Sequence, residues 1–170
     1  MRDAAIVYSQ RLDDDAEMSQ MLCSYRFPLT FQRSFPVREF MHICEYANPQ
    51  VYFIGDNRWN AGALQLERSY LEYKSIKDVP FIGIAPTYKA AGGWRATRGQ
   101  LAGFFQKAKD LGNPAVGIWD LPQATDDQLN AFLDVDWTPE PPEPPEPPSP
   151  DPLGERVTRI ERHLSSWKNE

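Results

Sequence analysis

A proline-rich run near the carboxyl end divides the chain. Residues 139–152 read Pro-Glu-Pro-Pro-Glu-Pro-Pro-Glu-Pro-Pro-Ser-Pro-Asp-Pro and hold most of the 16 prolines among 170 residues. Because proline has a fixed φ and no backbone N–H, such a run forms neither helix nor β-ladder and favours the polyproline II form. At ~3.1 Å per residue it spans on the order of 45 Å. We interpret it as a rigid linker; the alternative is a ligand for a proline-binding module.

The residues before this run have the composition of one globular domain. The whole chain is 41% hydrophobic and 12% aromatic, which is enough apolar material for a single core. We therefore expect a folded domain over residues 1–137, an extended linker over 138–152 and a short helix over 153–170.

The last segment carries a heptad pattern. Its apolar residues alternate at spacings of four and three: Leu153, Val157, Ile160, Leu164 and Trp167. This pattern predicts a coiled-coil seam, and residues 156–161 (Arg-Val-Thr-Arg-Ile-Glu) resemble the trimerisation motif of short parallel coiled coils. A lone helix of about 17 residues is marginal in water, so we expect self-association, with a trimer as the suggested state. The alternative is that the apolar stripe docks on its own domain, which the long stiff spacer disfavours.

Charge and hydropathy exclude several classes of partner. The formal net charge is −6 and no Lys/Arg cluster forms a phosphate-tracking surface, so no nucleic-acid partner is predicted. No run approaches the roughly 18 apolar residues that span a bilayer. The amino terminus lacks the pattern of a signal peptide, so we expect synthesis in the cytoplasm; release by lysis, as for phage products, is compatible with this.

No cofactor or metal motif is present. Cys23 and Cys44 have no second Cys or His at metal-ligand spacing and are predicted to be two buried thiols, with a disulfide between them as the alternative. There is no glycine-rich phosphate loop. We therefore predict neither a metal nor a cofactor.

Strand and helix patterns alternate along the domain. Strands are predicted at residues 21–25, 50–54, 79–85 and 115–119, and helices at 3–12, 37–46, 61–76, 98–111 and from 125 onwards. Short apolar strands without polar alternation predict a parallel sheet covered on both faces. The expected fold is α/β, with four alternating strand-helix units around one parallel sheet, as in half of a TIM-like barrel. Leu64 and Leu71 are predicted to face the core from the third helix, and Leu129, Phe132 and Leu133 from the last.

Aromatic, amide and acidic residues follow the predicted strands. The carboxyl ends of parallel strands share one edge of a sheet, which is where ligands bind in such folds. Aromatic rings stack on the apolar faces of pyranoses while polar groups bind the hydroxyls, and glycoside cleavage uses two carboxylates. The sequence thus predicts a sugar site with Asp120 and Asp56 as catalytic residues and Tyr25, Arg26, Tyr52 and Trp119 as substrate-binding residues.

These residues also have purely structural interpretations. Asp56 would cap the turn that follows it. Asp120 would pair with Arg26 or Lys89, and the aromatic side chains would pack in the core or at its rim. The clustering on one predicted edge favours the functional interpretation.

The domain resembles a group of phage and bacterial proteins. The resemblance is carried by residues 24–28, 35–40, 48–53, 64–69, 80–83 and 116–120, which read SYRFP, FPVREF, NPQVYF, LQLERS, PFIG and VGIWD. Those proteins are similar to glycoside-hydrolase-type (β/α)8 barrels, and the match covers about residues 1–135 and the second half of the barrel. The resemblance implies that the four strands are numbers five to eight, and that residues 3–12 are the remnant of the fourth helix.

The resemblance leaves the first half of the barrel without a counterpart. An essential acid commonly ends the fourth strand of such barrels, and it has no equivalent here. The last strand ends in Trp119-Asp120, where relatives are expected to have an aromatic residue and Glu. A half-barrel has two unpaired sheet edges, so two copies would pair, or another chain would supply the missing strands, or the chain is a truncated product.

The resulting prediction is a glycoside-hydrolase-like partial barrel that binds a polysaccharide such as peptidoglycan and, if it is an enzyme, hydrolyses it. The alternatives are a non-catalytic oligomerising interaction module and an inactive truncated product.

Overall fold

The structure, a computed structural model, describes residues 2–15, 19–31 and 33–138. The chain divides into two units, Met1–Trp137 and Thr138–Glu170. All the described helices and strands belong to the first unit. The proline-rich run and the predicted coiled-coil helix over 153–170 lie outside the described residues.

Helices are the main regular structure of the first unit. Their bounds are α1 Arg2–Asp15, α2 Pro28–Phe31, α3 Val37–Ile43, α4 Ala61–Lys74, α5 Arg98–Asp110 and α6 Asp126–Leu133. Short 3-10 turns lie at Ala91–Gly93 and Leu121–Gln123. None of the helices in the described part of the chain is both long and apolar enough to cross a membrane.

Two of these helices begin at capping boxes. The Thr97 hydroxyl accepts a hydrogen bond from the Gln100 backbone N–H, and the Gln100 side chain accepts one from the Thr97 N–H. Thr125 and Gln128 repeat the arrangement at α6. Each box satisfies two backbone donors that the first helical turn leaves unpaired. The helix starts that the sequence predicts near residues 98 and 125 are therefore confirmed.

The strands are short and parallel. They are β1 Met21–Leu22, β2 Tyr46–Ala47, β3 Ile84–Pro86 and β4 Gly117–Trp119. β1 pairs with β2 and β3 pairs with β4, which gives two two-stranded sheets. In the second sheet Ile84 lies opposite Gly117 and Pro86 opposite Trp119.

The α/β class is therefore right, but the single sheet of four strand-helix units, half of a TIM-like barrel, is wrong. Single parallel bridges, Ala47 to Phe81 and Gln50 to Ile84, lie between the two sheets without extending into a ladder. Pro49 interrupts that stretch because it has no N–H to donate. The Asn48 side-chain amide donates instead to the Ile82 carbonyl, at 2.7 Å.

The core lies where α4 and α5 cover the strands. Its largest fully buried side chains include Phe53, Phe81, Phe104, Phe105 and Leu66. α4 and α5 approach closely at Gly62, where an added Cβ would lie 2.3 Å from the Gln100 carbonyl oxygen.

Two predicted helix faces are wrong. Leu64 and Leu71 are 40% and 61% exposed, and Leu66 and Ser69 are buried in their place. On α6, Leu133 is 75% and Phe132 40% exposed and Leu129 is half-buried, whereas Gln128 and Ala131 are buried. In both helices the core-facing side includes polar or small residues, so hydrophobicity alone points to the wrong stripe.

The two thiols lie in different environments. Both cysteines are free, with Cys44 buried and Cys23 exposed. The prediction of a buried thiol is confirmed for Cys44 and is wrong for Cys23, and the alternative of a disulfide is absent from the structure.

Candidate functional site

The carboxyl end of β4 is tied to β3 through Thr87. The Thr87 N–H donates to the Trp119 carbonyl at 2.7 Å, and its hydroxyl donates to the Asp120 carbonyl at 3.1 Å. Thr87 is itself buried. The peptide bond that joins Trp119 to Asp120 is cis. Together these contacts place both residues at the edge where the parallel strands end.

The Asp120 carboxylate is only partly satisfied. Its Oδ2 accepts a hydrogen bond from Gln123 Nε2 at 3.2 Å, whereas its Oδ1 is shut off from solvent with no hydrogen-bond partner among the described residues. The ion pair with Arg26 or Lys89 that its charge suggests does not form in the described structure. A buried acceptor without a donor is costly. The contact between Oδ2 and Gln123 is exposed, so Oδ2 is the oxygen that a ligand hydroxyl can reach.

Gln123 is held in place by a neighbouring cation. The Arg95 guanidinium donates from Nη1 to the Gln123 carbonyl at 2.7 Å and to the Thr87 carbonyl at 3.2 Å. Arg95 therefore links the turn that carries Gln123 to the end of β3. This contact supports the position of the Asp120 side chain from a second direction.

Two tyrosines, Tyr52 and Tyr88, form a ring pair close to the end of β3. The Tyr52 and Tyr88 rings meet edge to face, with centroids 5.7 Å apart. Burial is the main cause that raises the pKa of the Tyr52 phenol above its usual range, and interaction with Tyr88, Cys23 and Asp120 raises it further. Burial also raises the pKa of Tyr88. Both phenols therefore stay protonated at neutral pH and are available as hydrogen-bond donors.

Trp119 presents an open indole next to Asp120. Its side chain is 58% exposed although the residue belongs to a strand, and the nearby Leu121 is 60% exposed. A flat apolar ring beside polar groups is the arrangement that binds the face of a pyranose. Of the residues predicted from sequence, the structure thus places Trp119 and Asp120 together at the end of β4, and Tyr52 lies within electrostatic range of Asp120.

Asp56 has a different environment. Its two carboxylate oxygens accept hydrogen bonds from Arg58 Nε at 3.0 Å and Nη2 at 2.6 Å, from the Arg58 N–H at 3.2 Å and from Gln65 Nε2 at 2.9 Å. The hydrogen bonds from Arg58 are the largest cause that holds the pKa of this carboxyl well below its usual range. No described hydrogen bond joins Asp56 to Asp120. Asp56 therefore caps the turn that follows the second predicted strand and stays ionised.

Tyr25 and Arg26 belong to a third group. Tyr25 bridges Gln50 in the neighbouring chain segment, and its ring packs edge to face on Phe27 and Phe31 at 6.5 and 6.1 Å. The Arg26 guanidinium lies over the Tyr25 and Phe27 rings at 5.6 and 5.1 Å. This group also lies where a strand ends, but no described contact joins it to Asp120.

Tyr88 and Gln123 are the residues that the predicted site omitted. Tyr88 lies two residues after β3, so its position after a strand was the available signal. Gln123 also follows a predicted strand, but its contact with Asp120 depends on the short 3-10 turn at Leu121–Gln123.

In the described part of the chain, no group of three or more His, Cys, Asp or Glu side chains is arranged to hold a metal ion. Neither a protein-family model nor a curated protein matches the sequence.

Proposed function

We propose that the domain binds a glycan at the strand ends and is related to glycoside hydrolases. The observation that carries the proposal is the exposed Trp119 indole directly before Asp120, whose Oδ2 lies in an exposed contact with Gln123. The ring supplies a stacking surface for a sugar, and the carboxylate supplies an acceptor for one of its hydroxyls.

Tyr52 and Tyr88 complete the proposed sugar site. Their protonated phenols would donate hydrogen bonds to a bound sugar, and the Asp120 carboxylate would accept hydrogen bonds from it. A site with both donors and acceptors matches a sugar hydroxyl, which is itself donor and acceptor at once. The Thr87 contacts keep this arrangement in register with the strands.

If the domain cleaves its glycan, Asp120 is the acid/base residue. Glycosidases use a pair of carboxylates, and the second predicted carboxylate, Asp56, is engaged by Arg58 and Gln65. A carboxylate held ionised in this way donates no proton at neutral pH. We therefore assign Asp56 to the organisation of the turn at residues 55–58.

Binding to soluble peptidoglycan strands and a panel of neutral polysaccharides tests the proposal. Trp119→Ala should weaken binding about tenfold, the loss of one stacked ring, whereas Trp59→Ala should not. Trp59 is 83% exposed, so it is a matched control for the removal of a surface indole. Equal affinities of the two variants would overturn the role of Trp119.

Hydrolysis of the same glycans tests the chemistry separately. Any cleavage by the wild-type chain should be abolished in Asp120→Ala, with binding largely kept. Cleavage that survives this substitution unchanged would remove the catalytic assignment without affecting the binding site.

A second candidate function is an oligomerising interaction module. The heptad spacing of Leu153, Val157, Ile160, Leu164 and Trp167 favours it. Light scattering of the full chain beside a chain ending at Trp137 tests this proposal. We expect a multiple of the monomer mass, with a trimer favoured, for the full chain and a monomer for the shorter one; equal monomeric masses would contradict it.

A further inference from the structure

Arg26 is a cation without a described counter-charge. No acidic side chain in the described residues forms an ion pair with it. Its Nε is shut off from solvent and has no hydrogen-bond acceptor there. A buried donor that lacks an acceptor is rare in folded proteins and requires an explanation.

Arg68 stacks on the same Phe27 ring as Arg26, but its guanidinium has both an ion-pair partner and a hydrogen-bond acceptor. Its guanidinium lies 4.1 Å from the centre of the Phe27 ring. It also pairs with Glu72 at 3.4 Å and donates to the Thr30 hydroxyl at 3.0 Å. The two arginines stack on one ring, so stacking alone does not account for the unused donor of Arg26.

The aromatic group holds Arg26 in a defined orientation. Its guanidinium lies over the Tyr25 and Phe27 rings. The main chain is fixed by Ser69 Oγ, which donates to the Arg26 carbonyl at 2.7 Å, and by the Tyr73 hydroxyl, which donates to the Tyr25 carbonyl at 2.8 Å. Arg26 as a whole is half-buried, and its Nη1 and Nη2 make no described hydrogen bond and are not among the buried unpartnered atoms. These two nitrogens are left for planar, two-point recognition of a carboxylate.

The position of Arg26 relative to Trp119 follows from the pairing of the chain segments. Tyr25 bridges Gln50, Gln50 bridges Ile84, and Ile84 lies opposite Gly117 in β4. Three inter-strand steps of ~4.8 Å separate the two outer segments by about 14 Å. A ligand that touches both Arg26 and Trp119 must therefore be elongated and extend over several sugar rings.

We propose that Arg26 binds the carboxylate of a sugar acid in an elongated acidic glycan, whose other rings reach the Trp119 site. This proposal rests on the proposed glycan-binding function and adds the class of glycan. Tyr25 supplies the stacking surface beside the carboxylate, and Arg26 determines the preference for an acidic chain.

The test uses the full chain and three carboxylated polysaccharides, which are polygalacturonate, alginate and hyaluronan. Each is compared with its carboxyl-reduced neutral form by titration calorimetry. We expect at least one acidic member to bind tenfold or more tightly than its reduced form. The difference should shrink at high salt, because an ionic contact is screened.

Substitutions then assign the preference to one side chain. Arg26→Gln should remove the preference for the acidic member, and Arg26→Lys should keep part of it, because the charge remains but the planar fork is lost. Lys89→Gln is the matched control, since it removes one exposed positive charge that also follows a strand. Thermal unfolding of each variant shows whether it is folded, and the wild-type comparison of acidic and reduced forms needs no variant.

The outcomes separate this proposal from the proposed function. Equal binding of acidic and reduced forms, with both dependent on Trp119, overturns the role of Arg26 and supports the glycan site. A preference that persists in Arg26→Gln also overturns it. Binding that depends on Arg26 and not on Trp119 contradicts the Trp119 site and supports the carboxylate contact. Failure to bind any of the six polymers or peptidoglycan overturns both.

Discussion

Arg58 binds the Asp56 carboxylate with two side-chain hydrogen bonds, 3.0 Å from Nε to Oδ1 and 2.6 Å from Nη2 to Oδ2. Asp56 is only 17% exposed in its side chain, and Arg58 is 62% exposed. Gln100 extends the arrangement, because its amide donates to the carbonyls of both residues at 2.9 and 2.8 Å. Gln100 therefore connects the turn at residues 55–58 to the start of α5.

We expect Asp56→Asn to destabilise the fold by about 1 kcal/mol at pH 7, the range of a partly exposed two-point ion pair. The pKa of Asp56 is lowered by folding, so its contribution is present above the ordinary carboxyl pKa of about 3.9. That contribution is lost as the pH falls from about 4 towards the folded-state pKa. Urea unfolding of the wild type and Asp56→Asn at pH 7 and pH 3 should show a smaller difference in free energy of unfolding at pH 3.

The matched control for this pair is Asp134→Asn. Arg98 also binds Asp134 through two hydrogen bonds, at 2.8 and 2.7 Å. Both of those side chains are more than 40% exposed, so we expect a smaller effect than at Asp56. If Asp56→Asn lowers the free energy of unfolding by the same amount at both pH values, the assigned ion pair is contradicted.

Gly62 and Gly99 are expected to respond in opposite directions to alanine. A Cβ at Gly62 would lie 2.3 Å from the Gln100 carbonyl oxygen and 3.0 Å from Phe104 Cβ, so α4 and α5 would have to move apart. We expect a loss of ~1–3 kcal/mol. A Cβ at Gly99 meets nothing within 4 Å, so alanine there should gain about 0.5 kcal/mol through helix propensity. Chemical denaturation measures the free energy of unfolding of both variants. A Gly62→Ala protein as stable as the wild type would contradict the close approach of α4 and α5.

The two thiols should react at different rates with a thiol reagent. Burial raises the pKa of the Cys44 thiol, although Lys77 lowers it in part, so Cys44 has little thiolate and little access. Cys23 is exposed. We expect one fast-reacting thiol per native chain at pH 8, none in Cys23→Ser, and a second in urea. Two fast-reacting thiols in the native wild-type chain would contradict the burial of Cys44.

The sequence was sufficient to predict helices where local chemistry decides them. Thr97 and Thr125 start α5 and α6 with capping boxes whose partners lie three residues away. Pairs of groups so close in the chain meet whatever the rest of the fold does. The burial of Leu64 and Leu71 was not predictable in this way, because it depends on which side of α4 faces the strands and α5.

The candidate site, too, could be predicted from the sequence only in part. Residues within or directly after the predicted strands include Trp119 and Asp120, which are adjacent at the end of β4, and Asp56, which the structure pairs with Arg58 instead. The alternation of strands and helices predicts one sheet. A continuous ladder does not form, because Pro49 lacks the backbone N–H that it needs. Strand pairing depends on contacts between segments 25 to 35 residues apart, and the periodicity within one segment does not predict those contacts.

By itself, the sequence determined the α/β class, the starts of α5 and α6, and the presence of aromatic and acidic residues after the strands, because these depend on neighbours within a few positions. Only the tertiary structure decided that Gln100 of α5 binds the turn that holds Asp56 and Arg58, that Asp120 Oδ1 is left without a donor, and that Arg26 lacks a described counter-charge. Each of these is a balance between burial and available partners, and both are set by residues distant in the chain.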